Sequence, residues 1–169
     1  MTLEQKILVV DDDQAVRNLV EKIVKTTCKK DISLNNQYEV LTASNLNTAL
    51  SIIEAMRKSL ALIITDMDLD EGGEDLKIIK KAQELDLSVI SMSGTSYQEK
   101  TDELGVDFVK KPFTLKEISD PIKTHLLKNR SQISENSFIK LIDFFENSGI
   151  NLNQEEIKTL HCMALGANS

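Results

Sequence analysis

Residues 7–13 read ILVVDDD, four consecutive apolar residues followed by three aspartates. A short apolar run of this kind is typical of a strand that is buried on both faces, as in a parallel sheet. The apolar residues that come next recur at helical spacing, at Val16, Leu19, Val20, Ile23 and Val24. The stretch therefore predicts a buried strand followed by a helix, with acidic side chains at the junction.

The same alternation continues along the chain. Further strands are predicted at residues 38–43, 60–65, 87–92 and 107–110. Helical stripes or short helices follow them near residues 46–56, 76–82, 97–104 and 115–126. Five strands that alternate with helices predict an α/β fold, with a doubly wound five-stranded parallel sheet.

The last part of the chain predicts a helical extension. Thr114 and Glu117 have capping-box spacing, and Pro121 is expected to kink or break the helix that they begin. The polar residues 129–136 predict a linker, so we divide the chain into a domain at 1–128, this linker, and an extension at 137–169. In the extension, an apolar stripe ends at Gly149, a C-cap residue, and Asn153 with Glu156 repeats the capping-box spacing.

Composition limits the function classes. The formal charge of −7 argues against nucleic acid as a partner of the whole surface and favours a cation site. No apolar run approaches the roughly 20 residues that cross a bilayer, and the polar N-terminus is unlike a signal peptide, so we expect a cytoplasmic protein without a membrane partner. Cys28 and Cys162 have no paired motif and are expected to be packing residues.

Polar side chains follow most of the predicted strands. In a doubly wound sheet, ligands bind outside the carboxyl ends of the strands. The residues at those ends are Asp11, Asp12, Asp13, Asp66, Ser93 and Lys111. Two carboxylates about 4 Å apart repel by roughly 4 kcal/mol at an effective dielectric constant of 20, so the cluster predicts a bound cation, and Mg²⁺ fits it best. Asp66 could then attack phosphorus, while Ser93 and Lys111 hold phosphoryl oxygens.

The motifs at these ends resemble a known family. VVDDD at residues 9–13, TD at 65–66, SG at 93–94 and KPF at 111–113 are similar to those of CheY-like receiver domains of two-component response regulators. The resemblance covers about residues 5–128, and it implies the flavodoxin-like version of the sheet. It implies a protein that accepts a phosphoryl group from a sensor histidine kinase or phosphotransfer protein and relays it as a conformational switch. Such a domain is not an enzyme beyond slow self-dephosphorylation.

The resemblance also assigns roles to individual residues. Asp66 would be the phosphoacceptor, and Asp11, Asp12, Asp66 and the backbone carbonyl of Asp68 would bind Mg²⁺. Ser93 would be the switch hydroxyl, and Lys111 would contact the phosphoryl group. Phe108 would be the rotating aromatic residue of the switch.

Two features depart from the family pattern or extend it. Asp70 stands where the family usually has a proline, which puts the loop after Asp66 in doubt. Residues 152–169 resemble the start of a LuxR-type (FixJ-type) helix-turn-helix, at Leu152, Asn153, Glu156, Leu160, Ala164 and Gly166. This would make the extension either a truncated output domain of a transcriptional regulator or a complete helical tail. DNA would be bound only through a completed output domain, and a homodimer is a further expectation.

Two other functions stay open at this point. Asp66-Met67-Asp68 superficially fits the Asp-x-Asp motif of a magnesium-dependent phosphohydrolase of the haloacid dehalogenase type. That motif normally follows the first strand of the chain, whereas Asp66 follows the third. The second alternative is a receiver fold that acts as a binding module without being phosphorylated.

Overall fold

The chain forms a five-stranded parallel sheet with helices on both faces, in a computed structural model that describes residues 5–31, 34, 38–69, 76–95, 98–150 and 152–164. The elements are β1 (Gln5–Val10), α1 (Gln14–Lys30), β2 (Tyr38–Ala43), α2 (Leu46–Met56), β3 (Leu60–Asp66), α3 (Lys77–Glu84), β4 (Val89–Ser93), α4 (Gln98–Glu103), β5 (Asp107–Lys110), α5 (Leu115–Asn147) and α6 (Gln154–Ala164). The strand order is β2-β1-β3-β4-β5, and each adjacent pair is parallel. The predicted doubly wound α/β fold is therefore confirmed.

The apolar strands are continuous runs because both faces of the sheet are covered. Along β1, Ile7 and Val9 belong to the core cluster that includes residues of α1 and α5. Leu8 and Val10 belong to the second cluster, with residues of α2 and α3. All seven residues of β3 are buried, so this central strand has no solvent-facing side.

The strand order reverses between β1 and β3, and this places the ends of these two strands at the crevice of the fold. Asp13 begins α1 by accepting hydrogen bonds from the backbone N–H groups of Ala15 and Val16. The carboxylate of Asp13 thus caps the N-terminus of α1, while the carboxylates of Asp11 and Asp12 remain at the end of β1.

Helix α5 differs from its sequence-based prediction. The capping box at its start is confirmed, because Glu117 accepts the Thr114 N–H at 2.6 Å and Thr114 accepts the Glu117 N–H at 3.3 Å. The predicted break is wrong, since the helix continues past Pro121. It also continues through residues 129–136, where we predicted a linker between two helices. That polar segment contains neither proline nor glycine, so nothing in its backbone ends a helix.

The chain divides into two compact units, residues 1–126 and 127–169. In the second unit, the predicted C-cap at Gly149 is confirmed, with φ of 73°. The capping box before α6 is also confirmed, because Asn153 and Glu156 exchange hydrogen bonds.

The prediction that Cys162 is a packing residue is wrong, because its side chain is exposed. Across the described ranges, we find no helix with the length and apolarity to cross a bilayer.

Candidate functional site

Three carboxylates converge where β1 and β3 end. Asp11 and Asp12 directly follow β1, and Asp66 is the last residue of β3. Asp11 is fully buried, Asp66 is 4% exposed and Asp12 is exposed. One carboxylate oxygen from each of the three lies within 4.8 Å of the others. The parallel sheet thus brings together residues that are more than 50 positions apart in the sequence.

The ammonium group of Lys111 joins two of these carboxylates. Its Nζ lies 2.7 Å from Asp11 Oδ2 and 2.8 Å from Asp66 Oδ2. The position of Lys111 is fixed by its backbone N–H, which donates to the carbonyl of Ser93 at 2.7 Å, at the end of β4. A cis peptide bond follows, between Lys111 and Pro112. The predicted grouping of Asp11, Asp12, Asp66 and Lys111 at one edge of the sheet agrees with this geometry.

Burial and ion pairing act against each other in this cluster. Burial raises the pKa of Asp66 above its ordinary value, and the Lys111 ammonium and the Asp68 backbone N–H only partly oppose the rise. Burial also acts to lower the pKa of Lys111, but its bonds to Asp11 and Asp66 outweigh this, so the pKa of Lys111 is raised. The site therefore favours an ammonium at Lys111 and penalises the charge on Asp66 unless another cation is present.

The oxygen ligands of the cluster suit a divalent cation. The three carboxylates offer oxygen ligands, and the cluster is accessible to solvent at Asp12. This arrangement suits a hard ion such as Mg²⁺, which binds few protein oxygens and keeps water ligands. Asp66 and Asp11 would exchange part of their contact with Lys111 for contact with such an ion. The expected fourth ligand, the backbone carbonyl of Asp68, stays a prediction.

Ser93 lies at the end of β4 and is fully buried. Its hydroxyl donates to Oδ2 of Asp68 at 2.8 Å, and its oxygen accepts the backbone N–H of Thr95 at 2.9 Å. The Thr95 hydroxyl lies 3.3 Å from Oδ1 of Asp68. The sequence predicted a role for the backbone of Asp68 but missed this role of its side chain.

Phe108 lies on β5, where it pairs in register with Ser91 rather than with Ser93. Its side chain is half-buried and lines a cavity of about 380 Å³, together with Val109, Lys110, Lys111, Pro112 and Glu117. Phe108 is therefore next to open space into which a side chain could turn. Its predicted switch role stays a prediction. Asp70 and the three residues after it lie outside the described residues.

Arg17 supports the acidic pair and was missed from the sequence. Its Nη1 donates to the backbone carbonyls of Asp11 at 2.5 Å and Asp12 at 2.9 Å. The guanidinium thus holds the turn from which two of the three carboxylates project. The sequence contained a signal for this role, because an arginine in the first turn of the helix that follows the acidic pair can reach back to that pair.

Residues 7–123 match the response regulator receiver domain family. The chain belongs to this family. Receiver domains of response regulators are generally phosphoacceptors rather than enzymes, and the carboxylate cluster lies within the matched residues.

Several curated proteins are similar to this receiver domain. The nisin biosynthesis regulatory protein NisR of Lactococcus lactis is 31% identical over 125 residues, which are 72% of this chain and 50% of NisR. The two-component response regulator ARR10 of Arabidopsis thaliana is 28% identical over 78% of this chain and 24% of its own length. The sporulation initiation phosphotransferase F of Bacillus subtilis is 28% identical, over 73% of this chain and 95% of its own length. The chain thus spans at most half of the first two relatives.

Solved receiver domains have the same fold. A response regulator receiver domain protein from Clostridium thermocellum is 26% identical with a TM-score of 0.60, over 76% of this chain and 98% of that one. The receiver domain of the hybrid histidine kinase CckA is 28% identical with a TM-score of 0.55, over 72% of this chain and 98% of that one. The family match ends at residue 123, so the helix-turn-helix resemblance of residues 152–169 stays a prediction.

Proposed function

We propose that Asp66 accepts a phosphoryl group from a phosphohistidine donor and that the receiver domain relays this modification as a conformational switch. One observation carries the proposal. The buried carboxylate of Asp66 shares the Lys111 ammonium with Asp11, in a cluster of three carboxylates at the crevice of the sheet. This arrangement provides a nucleophile, a cation for a phosphoryl oxygen and ligands for a metal ion at one place.

The transfer needs no further protein group. A carboxylate oxygen of Asp66 forms a bond to phosphorus as the bond from phosphorus to the donor imidazole nitrogen breaks. The nitrogen keeps the electron pair and can take up a proton from solvent. Lys111 would hold one phosphoryl oxygen, and Asp11, Asp12 and Asp66 would hold Mg²⁺, which when bound offsets negative charge on the phosphoryl group. The raised pKa of Lys111 keeps its ammonium charged for this contact.

The proposed switch uses Ser93 and Phe108. Ser93 would turn its hydroxyl toward the phosphoryl group, and Phe108 would move into the space beside Ser93. The movement of Phe108 would change the surface formed by β5 and α5. The cavity next to Phe108 supports the rotation of this side chain, because a rotating side chain needs space; the described residues that line it do not include Ser93.

The donor and the output complete the proposal. A CheY6 structure of the same fold, 23% identical with a TM-score of 0.55, is a complex with the P1 domain of CheA3 from R. sphaeroides. We propose a sensor histidine kinase or phosphotransfer protein as the partner here too, in the cytoplasm. Exposed apolar residues in the second unit, such as Ile133, Ile139 and Phe144, support a homodimer.

We retain residues 1–128 as the receiver, with 129–136 connecting it to an extension at 137–169. We propose that the whole protein is a transcriptional regulator whose helix-turn-helix begins in α6. The capped start of α6 supports this, because the resemblance requires a helix that begins after Asn153. DNA would then be contacted only by a completed output domain.

Intact mass after incubation with acetyl phosphate tests the proposed phosphorylation. We expect a gain of one phosphoryl group that requires Mg²⁺ and is lost in Asp66→Asn. The control Asp102→Asn removes an exposed carboxylate on α4 and should keep the adduct. Absence of an adduct without release of phosphate would favour the binding module. Continuous release of phosphate from a phosphate monoester would favour the phosphohydrolase.

A further inference from the structure

The carboxylate of Asp68 lies against the hydrogen-bond donors at the end of β4. Its Oδ2 accepts the Ser93 hydroxyl at 2.8 Å and lies 3.4 Å from the backbone N of Gly94. Its Oδ1 lies 3.3 Å from the Thr95 hydroxyl. An anionic group is therefore already bound by the residues that would have to receive a phosphoryl oxygen.

The Ser93 hydroxyl has only one proton to donate. A carboxylate cannot donate in return, and the Thr95 hydroxyl, 3.0 Å from the Ser93 oxygen, is a neutral and more distant acceptor. The charged Asp68 oxygen at 2.8 Å is therefore the favoured acceptor of the Ser93 proton. The Ser93 oxygen accepts the backbone N–H of Thr95 as well, which fixes the hydroxyl further. Ser93 is fully buried, so water does not compete for its proton. A phosphoryl oxygen and Asp68 consequently cannot both receive this hydrogen bond.

We propose that Asp68 is a latch that holds Ser93 in the unphosphorylated arrangement and must be displaced before the switch can complete. This inference rests on the proposed function, because it needs a phosphoryl group on Asp66 as the competitor. Asp68 is a positioning residue in this account and not a catalytic one. A hydrogen bond to a charged acceptor is stronger than one between neutral groups, so the latch opposes the switch measurably.

Removing Asp68 also removes a negative charge near the site, which by itself would favour an anion. A double-mutant cycle separates the two effects, because the latch requires both Asp68 and Ser93 whereas the charge effect requires Asp68 alone. Asp68→Asn keeps an oxygen acceptor of the same shape and loses the charge. Its effect should therefore lie between those of the original residue and alanine.

The test is calorimetric titration of the full chain with beryllofluoride, a phosphoryl mimic, at saturating Mg²⁺. We expect Asp68→Ala to bind the mimic about tenfold more tightly than the unaltered chain, which corresponds to about 1.4 kcal/mol. We expect a much smaller gain when Asp68→Ala is made in a Ser93→Ala background. Circular dichroism of each variant checks that the fold is kept.

Two results would overturn the latch. An equal gain in both backgrounds would mean that Asp68 acts through its charge alone, and no gain in either would mean that it does not oppose the mimic. The Asp66→Asn variant gives the blank for the titration. If the unaltered chain binds no more mimic than this variant, the proposed function fails, and the latch fails with it.

Discussion

Replacing Lys111 by methionine should destabilise the metal-free chain, and Mg²⁺ should reverse part of the loss. The Lys111 ammonium lies 2.7 Å and 2.8 Å from oxygens of Asp11 and Asp66, whose carboxylate oxygens lie within 4.8 Å of each other. At that separation and an effective dielectric constant of about 20, the two carboxylates repel by about 3 kcal/mol once the ammonium is gone. Removal of one partner from a buried ion pair costs a similar amount, about 3–5 kcal/mol.

Thermal unfolding measured by circular dichroism gives the size of this effect. For a chain of this length, about 3 kcal/mol corresponds to a decrease in Tm of roughly 6–12 °C in EDTA. A divalent cation takes the place of the lost positive charge, so the deficit should shrink at saturating Mg²⁺. The same Mg²⁺ should raise the Tm of Lys111→Met more than that of the unaltered chain.

Lys110→Met is the matched control, because it removes an equal charge from the adjacent, exposed residue. Its Tm should change little in either buffer. A Lys111→Met deficit that is the same with and without Mg²⁺ would refute the reasoning, since the lost contacts would then be unrelated to the charge of the cluster. A deficit no larger than that of Lys110→Met would refute it as well.

Three further predictions concern single side chains. Burial raises the pKa of Asp66, so the folded chain binds its proton more tightly than the unfolded chain, and this contribution to stability is lost as the pH rises through the folded pKa. In EDTA, Asp66→Asn should therefore raise the free energy of unfolding near neutral pH but leave it unchanged at low pH, as measured by urea titration. An equal gain at the two pH values would contradict this. Arg17→Ala should weaken Mg²⁺ binding about tenfold in calorimetry, because the carbonyl of Asp11 loses its support; unchanged affinity would contradict that role. A thiol reagent should label Cys162, which is exposed, in the native chain. Cys28 is 3% exposed and its pKa is raised to about 11, so it should react only after unfolding. Labelling of the two cysteines at equal rates in the native chain would contradict the described packing.

The strands were predictable because their apolar runs end in recognisable residues. The bounds predicted for β2 and β5 agree with the structure, and β3 differs only in that it includes Asp66. β3 is buried along its whole length, whereas β2 and β5 lie at the edges of the sheet, where only Ala43 and Val109 are buried. The bounds of β2 and β5 were therefore predictable from the polar and turn residues that flank them rather than from burial on both faces. The grouping of Asp11, Asp66 and Lys111 followed from parallel strands whose carboxyl ends share one edge.

Side-chain hydrogen bonds across the site were not predictable in the same way. The bond between Ser93 and Asp68 joins residues 25 positions apart, and no periodic pattern encodes it. The continuity of α5 was missed for a different reason. Polar residues 129–136 favour solvent exposure but not the end of a helix, which requires a glycine, a proline or a cap. Cys162 was misjudged because a cysteine without a partner motif does not reveal whether it faces solvent.

The central claim is that Asp66 itself carries the phosphoryl group, and reductive trapping tests it most directly. Borohydride reduces an aspartyl phosphate to homoserine, so the modified residue can be located by peptide mass spectrometry after treatment with acetyl phosphate and Mg²⁺. The account predicts homoserine at position 66, and none there when Mg²⁺ is withheld. Homoserine at position 11, 12 or 68 instead, or a phosphoryl adduct that leaves Asp66 unreduced, would contradict it.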